Sequence, residues 1–137
     1  MGSENDREDR MEIKPKAATV KGPADWFTGD VYLDSLVQAQ EPSRANVAAV
    51  HFTPGARTAW HSHDGGQTLY VTEGEGRAQS RGEPIVAIRP GDVVHTPSGE
   101  WHWHGAAPDR FMTHLSITEG PATWGDHVSD AAYRGTT

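Results

Sequence analysis

Residues 55–74 read GARTAWHSHDGGQTLYVTEG, and residues 91–104 read GDVVHTPSGEWHWH. The first stretch sets His61 and His63 two positions apart, and the second does the same for His102 and His104. Successive side chains of a strand point to opposite faces, so each pair projects from a single face. By the same count Trp101 and Trp103 lie on the face opposite His102 and His104. Gln67 shares its face with the apolar Leu69 and Val71 and points inward. Buried imidazoles are costly unless they are hydrogen-bonded or bound to a metal. Neutral imidazole is the commonest ligand of Mn, Fe, Co, Ni, Cu and Zn. Two inward pairs therefore point to a metal, whereas the isolated His51, His95 and His127 read as surface or structural hydrogen-bonding groups.

Outward from these stretches the chain is a series of short β-prone runs, at 31–33, 45–53, 58–63, 67–73, 77–80, 85–88, 92–96, 100–104 and 110–118. Turn residues separate them at Pro54-Gly55, Gly65-Gly66, Gly74, Gly82, Pro90-Gly91, Pro97 to Gly99 and Gly105 to Pro108. No room is left for crossover helices, so the pairing is antiparallel and the expected fold is all-β, a small barrel or sandwich. A closed barrel of this size holds one small ligand in its lumen. Either Ala48, Val50 and Phe52 or Val47, Ala49 and His51 line that lumen; alternation alone does not choose. One short helix is expected over 126–133, with Gly135 as its stop signal.

The chain has 137 residues, enough for one domain and too few for a two-domain enzyme. Residues 1–12 are polar and of mixed charge and read as a disordered tail, leaving 13–137 as the single domain, with Trp26 and Phe27 anchoring its first segment. Twelve Lys and Arg against nineteen Asp and Glu give a net charge of −7. With no basic cluster, nucleic acid is excluded as a partner. No apolar run approaches the ~18 residues of a membrane span, and the N-terminus is not a signal peptide, so a cytoplasmic location without membrane attachment is expected. The absence of cysteine excludes disulfides, thiolate nucleophiles and Cys-ligated metals, so any ion is held by His, carboxylate or amide groups.

Gly55-x5-His61-x-His63-x3-Gln67-x6-Gly74 and Gly91-x5-Pro97-x-Gly99-x2-His102 resemble the two cupin motifs over about residues 45–118. The resemblance implies a single-domain cupin, a double-stranded β-helix or jelly-roll barrel, with His61, His63, Gln67 and His102 as metal ligands. Gln67 stands where the family usually has Glu, and Ala106 where its second motif has Asn. Replacing a carboxylate by an amide leaves a divalent ion more of its net charge, which strengthens its hold on an anionic oxygen. The alternative is a weakened, vestigial site.

GPADWFTG (22–29), PGARTAWHSH (54–63), GQTL (66–69), HWHGAAP (102–108) and MTHL (112–115) further resemble the small bacterial manganese-dependent cupin (R)-hydroxynitrile lyases. That resemblance implies a metal-dependent lyase that cleaves cyanohydrins such as mandelonitrile to an aldehyde and hydrogen cyanide, and runs the reverse addition. It makes Mn2+ the expected cofactor, with Fe2+, Co2+, Ni2+ or Zn2+ compatible with the same ligands. It also makes Gln67 an expected departure. His104 and His114 are then the candidate general base and acid, and a structural hydrogen bond is the competing role for His114. The five Trp read as packing residues. The expected partners are a small-molecule substrate and copies of the chain, as a homodimer or homotetramer. The alternatives are a metal-dependent dioxygenase, an isomerase of small sugars or keto acids with Arg57 or Arg77 gripping a carboxylate, and a non-catalytic ligand-binding cupin.

Overall fold

The computed structural model describes residues 10–135. The tail expected over 1–12 thus falls mostly outside the described residues, and residues 10–19 are exposed without regular structure. Thirteen strands follow in chain order: β1 Val20–Lys21, β2 Phe27–Thr28, β3 Val31–Val37, β4 Ala45–Phe52, β5 Arg57–Thr58, β6 His61–His63, β7 Gln67–Gly74, β8 Gly76–Ser80, β9 Val86–Ile88, β10 Val93–Thr96, β11 His102–Ala106, β12 Met112–Glu119 and β13 Ala122–Trp124. A single helix, α1, spans Asp130–Arg134. No helix among the described residues is long and apolar enough to cross a membrane.

The strands form two sheets whose pairings are all antiparallel, as the crowding of turns demands. One runs β1-β3-β4-β12-β7-β10; the other runs β13-β6-β11-β5-β2, with β8 added on β11 and β9 on β8. Each places one apolar face against the other, giving the all-β jelly-roll architecture the motifs imply. Val31, Val50, Phe52, Val71 and Met112 meet Phe27, Ala56 and Ala106 in the space between. Each large side chain buried there contributes about 1.5–3 kcal/mol. The lumen face of β4 is thereby decided. Val50 and Phe52 point in with Ala48 beside them, while His51 points out.

Four differences from the sequence reading have local causes. The run 58–63 is split, because Ala59 N donates to Trp26 O and Trp60 N to Asp126 O, partners outside any strand. The strands β1, β2 and β13 have two or three residues each, too few for a period to show. Strand β3 continues through Asp34 and Ser35 to Val37, because its backbone stays paired with β4 there, Asp34 opposite Ala49 and Val37 opposite Val47. The helix starts at Asp130 rather than 126, because Ser129 caps it: its Oγ accepts from Ala132 N. Gly135 ends it in the left-handed conformation at φ 75°, at the expected stop.

A register shift between Thr113 and His114 leaves Thr72 of β7 unpaired against β12. It falls beyond Gln67, Leu69 and Val71, whose inward alternation is intact. Strand β11 is buried on both faces, since α1 and the segment before it cover Trp103 with Val128 and Tyr133. Gly105 permits this crowding; a Cβ there would lie 2.4 Å from Ala56 O.

Candidate metal centre

Strands β6 and β11 of one sheet and β7 and β12 of the other converge on one buried place. His61 and His102 are register partners, so their rings stand side by side with centroids 4.3 Å apart. His104, two residues on, follows on the same face, and donor atoms of His61, His102 and His104 all lie within 4.8 Å of one another. His63 joins them, its ring centroid 5.0 Å from that of His61 and 5.9 Å from that of His102. From the facing sheet Gln67 Oε1 reaches His102 Nε2 at 2.8 Å and His104 Nε2 at 3.2 Å. His61, Gln67, His102 and His104 therefore converge on one place, with His63 beside His61. The histidines whose donor atoms are close enough to share an ion are His61, His102 and His104, which brings His104 into the expected ligand group and leaves His63 at its edge.

Hydrogen bonds around these groups fix which atoms face inward. His61 Nδ1 donates to Ala59 O at 2.9 Å and His102 Nδ1 to Glu100 O at 3.0 Å, so each neutral ring turns the lone pair of Nε2 into the site. Gln67 Nε2 donates to Ser116 Oγ at 2.8 Å, which aims the amide oxygen the same way. His102 Nε2 and Gln67 Oε1 are thus two acceptors 2.8 Å apart, a repulsive pair that a cation between the ligands relieves. His63 Nε2 is buried without a hydrogen-bond partner. Converging lone pairs of nitrogen and amide oxygen are the donor set of a divalent transition metal, and the residues present fit one.

Burial sets the electrostatics. Removal from water holds His61 down to about 3 and His63 to about 4, with the positive charge His102 would carry as the next cause in both. Burial also lowers His102, and lowers His104 well below the ordinary imidazole range, with His114 adding to the effect on His104. All are neutral at pH 7, the state a metal ligand requires.

His114 faces the lumen. It is fully buried, and its Nε2 lies 3.0 Å from His104 Nδ1, so a proton is shared between the two rings. Burial lowers it to about 4, and its Nδ1 has no hydrogen-bond partner. Phe52 packs against both rings, with centroids 5.9 Å from His104 and 5.3 Å from His114.

The isolated histidines behave as the sequence suggests: His51 bonds Asp34 and Thr113, His95 bonds Thr68 and His127 bonds Thr28. Arg57 and Arg77 are absent from the lumen. Arg57 is buried and donates to Val128 O and Asp130, and Arg77 donates to Tyr133 O, with both guanidiniums against the Tyr133 ring. The carboxylate grip of an isomerase thus has no cation there from either arginine. Trp124, which stacks on His61, escaped the sequence reading. Its signal lay in a three-residue strand after Pro121, with no motif around it.

Comparison with known proteins bears on the fold and the family. The family model described as a cupin domain matches residues 48–118. A protein of Granulicella tundricola named (R)-mandelonitrile lyase is 55% identical over 130 residues, covering 90% of this chain and 99% of that one. Among solved structures, a cupin-like protein from Thermotoga maritima superposes with a TM-score of 0.83 at 43% identity, over 93% of this chain and 98% of the other. A cupin 2 conserved barrel domain protein from Rhodopseudomonas palustris shares the fold, with a TM-score of 0.67 at 16% identity over 87% and 89% of the two chains. Motif spacing, facing antiparallel sheets and a buried histidine cluster at their centre have one common explanation: the chain belongs to the cupin family.

Proposed function

We propose that the chain is a metal-dependent lyase that cleaves cyanohydrins of the mandelonitrile type to an aldehyde and hydrogen cyanide, and catalyses the reverse addition. Its place in the lyase class rests on the 55% identity to the (R)-mandelonitrile lyase of Granulicella tundricola over nearly the whole of both chains. The observation that carries the chemistry is the pair of neutral, fully buried histidines, His104 and His114, joined at 3.0 Å beside the ligand cluster. His61, His63, Gln67 and His102 would hold the ion. When bound, a divalent ion supplies Lewis acidity at that point, and Mn2+ is the proposed species.

The remaining work falls to the chain. The cyanohydrin must lose its hydroxyl proton as the bond between the carbinol carbon and the nitrile carbon breaks, and the departing cyanide must gain one. Neutral His104 and His114 present a lone pair for the first transfer, and the proton they take is the one they return to cyanide, so the pair ends each turnover unchanged. The contact between the rings lets a proton accepted on one be released from the other. Phe52 packs against both rings and screens the pair from water on that side. The expected homodimer or homotetramer is part of the same proposal, with the exposed Tyr70, Val93 and Ile117 on the outer face of the six-stranded sheet as its contact surface.

The deciding assay follows benzaldehyde and cyanide release from racemic mandelonitrile with manganese-loaded, chelator-stripped and His102→Ala protein, above the uncatalysed background. Release that requires metal and is lost in the variant supports the reading. No release from protein shown to contain metal overturns it.

A further inference from the structure

Backbone pairing leaves one seam of the barrel open. Strand β10 is bonded to β7 and β9 to β8, and no ladder joins β10 to the β8–β9 hairpin among the described residues. A cavity of about 150 Å³ occupies this seam. It is lined by Leu69, Ala78 and Val94 beside His102 and His104, with Glu83 adding a carboxylate. The larger clefts on the surface touch none of the histidines of the site. This cavity alone among them joins solvent to His102 and His104.

We infer that the seam cavity holds the substituent on the carbinol carbon of the cyanohydrin, and that its size admits one aromatic ring and excludes two fused rings. The inference rests on the lyase reading above and adds the place and the limits of the substrate. An apolar cavity of about 150 Å³ takes up benzene. A ring seated against Leu69, Ala78 and Val94 meets side chains with no hydrogen-bonding group and loses nothing on entering, whereas an anionic substituent gives up water and meets Glu83 on the same lining. With the ring between these three residues, the carbon bearing hydroxyl and nitrile lies over His102 and His104. Leu69 and Ala78 are almost fully buried, so the inner wall is fixed by packing and the limit on size is set there.

The test compares kcat/KM for mandelonitrile, for lactonitrile with its methyl group, and for the cyanohydrin of 2-naphthaldehyde. Ala78→Leu fills the cavity and is expected to lower the phenyl-to-methyl ratio by about tenfold or more. Val94→Ala, at a half-buried position that tolerates truncation, is expected to raise the naphthyl-to-phenyl ratio by about tenfold. Ratios that stay within about twofold of the unaltered protein in both variants overturn the cavity assignment while leaving cyanohydrin cleavage standing. If the unaltered protein cleaves no cyanohydrin, the lyase reading fails, and crystals soaked in bromobenzene test the cavity separately. A bromine peak between Leu69, Ala78 and Val94 that disappears in Ala78→Leu supports it, and no peak in the unaltered protein overturns it.

Discussion

Trp124 stacks on His61, with ring centroids 4.6 Å apart and planes inclined by 27°, and Trp26 stacks on Trp124 in turn at 5.1 Å and 5°. A proposed metal ligand is thereby backed by two indoles, one on β13 and one from the segment before β2. An open-shell ion at His61 lies close enough to quench Trp124. Adding Mn2+ or Co2+ to metal-free protein is expected to reduce tryptophan emission. Trp124→Leu is expected to lose most of that response and to bind the ion about tenfold more weakly, because the ring orienting His61 is gone. Fluorescence and calorimetric titrations read the two effects.

Ser116 lies outside the ligand set but decides which end of the Gln67 amide faces it. Ser116→Ala removes that hydrogen bond and frees the amide to turn. Metal affinity is expected to fall by about 10-fold or more, with the fold intact by circular dichroism. An unchanged affinity would show that Gln67 is oriented by something else.

Acid acts on the metal-free protein through the same histidines. His63 and His114 are held to about 4 and His61 to about 3 by burial, whereas imidazoles of the unfolded chain titrate near the ordinary value of about 6.5. Above that value both states are neutral and stability is insensitive to these groups. Below it the unfolded chain binds protons that the folded chain refuses, so stability falls as pH falls, down to the folded values. Tm of chelator-treated protein is expected to drop by about 10 °C or more between about pH 7 and pH 4.5, and bound metal, which keeps the same histidines unprotonated in the folded state, is expected to raise Tm without flattening that profile. A flat profile would contradict burial of the cluster.

Asp34 fastens the N-terminal segment. Its carboxylate accepts from Lys16 at 2.9 Å, from the Thr19 hydroxyl and from His51 Nε2 at 2.9 Å, and these hydrogen bonds, that of Thr19 first, hold its pKa far below the usual carboxylate range. The stabilisation is present above that range and is lost as pH falls below it. Asp34→Asn weakens all three contacts. Proteolysis within residues 12–19 is expected to accelerate several-fold at neutral pH, with cyanohydrin turnover as the control that the barrel survives.

Much of this was legible in the residues. His61, His63, His102 and His104 announce themselves because a strand places alternate side chains on one face, and Gln67 follows from its apolar neighbours Leu69 and Val71. What period 2 cannot supply is a sidedness for a strand whose two faces are both apolar. Strand β4 was of that kind until Val50 and Phe52 were seen against Val31 and Val71. The pairing of His114 with His104 depends on how the two sheets face each other, and local sequence carries no signal for it. Trp124 and the Asp34 clasp were missed for the same reason, since each joins segments far apart in the chain through elements of two or three residues or none.

The order in which the site's pieces leave the ribosome has a consequence of its own. His61 and His63 emerge early, but their strand pairs with β11 and β13, which come some forty to sixty residues later. A nascent chain long enough to show the first histidine pair has nothing with which to complete a cage. An ion held by the proposed ligands would be captured only once both sheets can close, and would record the pool available to a chain already long enough to include β11 and β13. With ligands that discriminate weakly among divalent ions, cells grown on different metal supplies are expected to yield the same polypeptide carrying different ions.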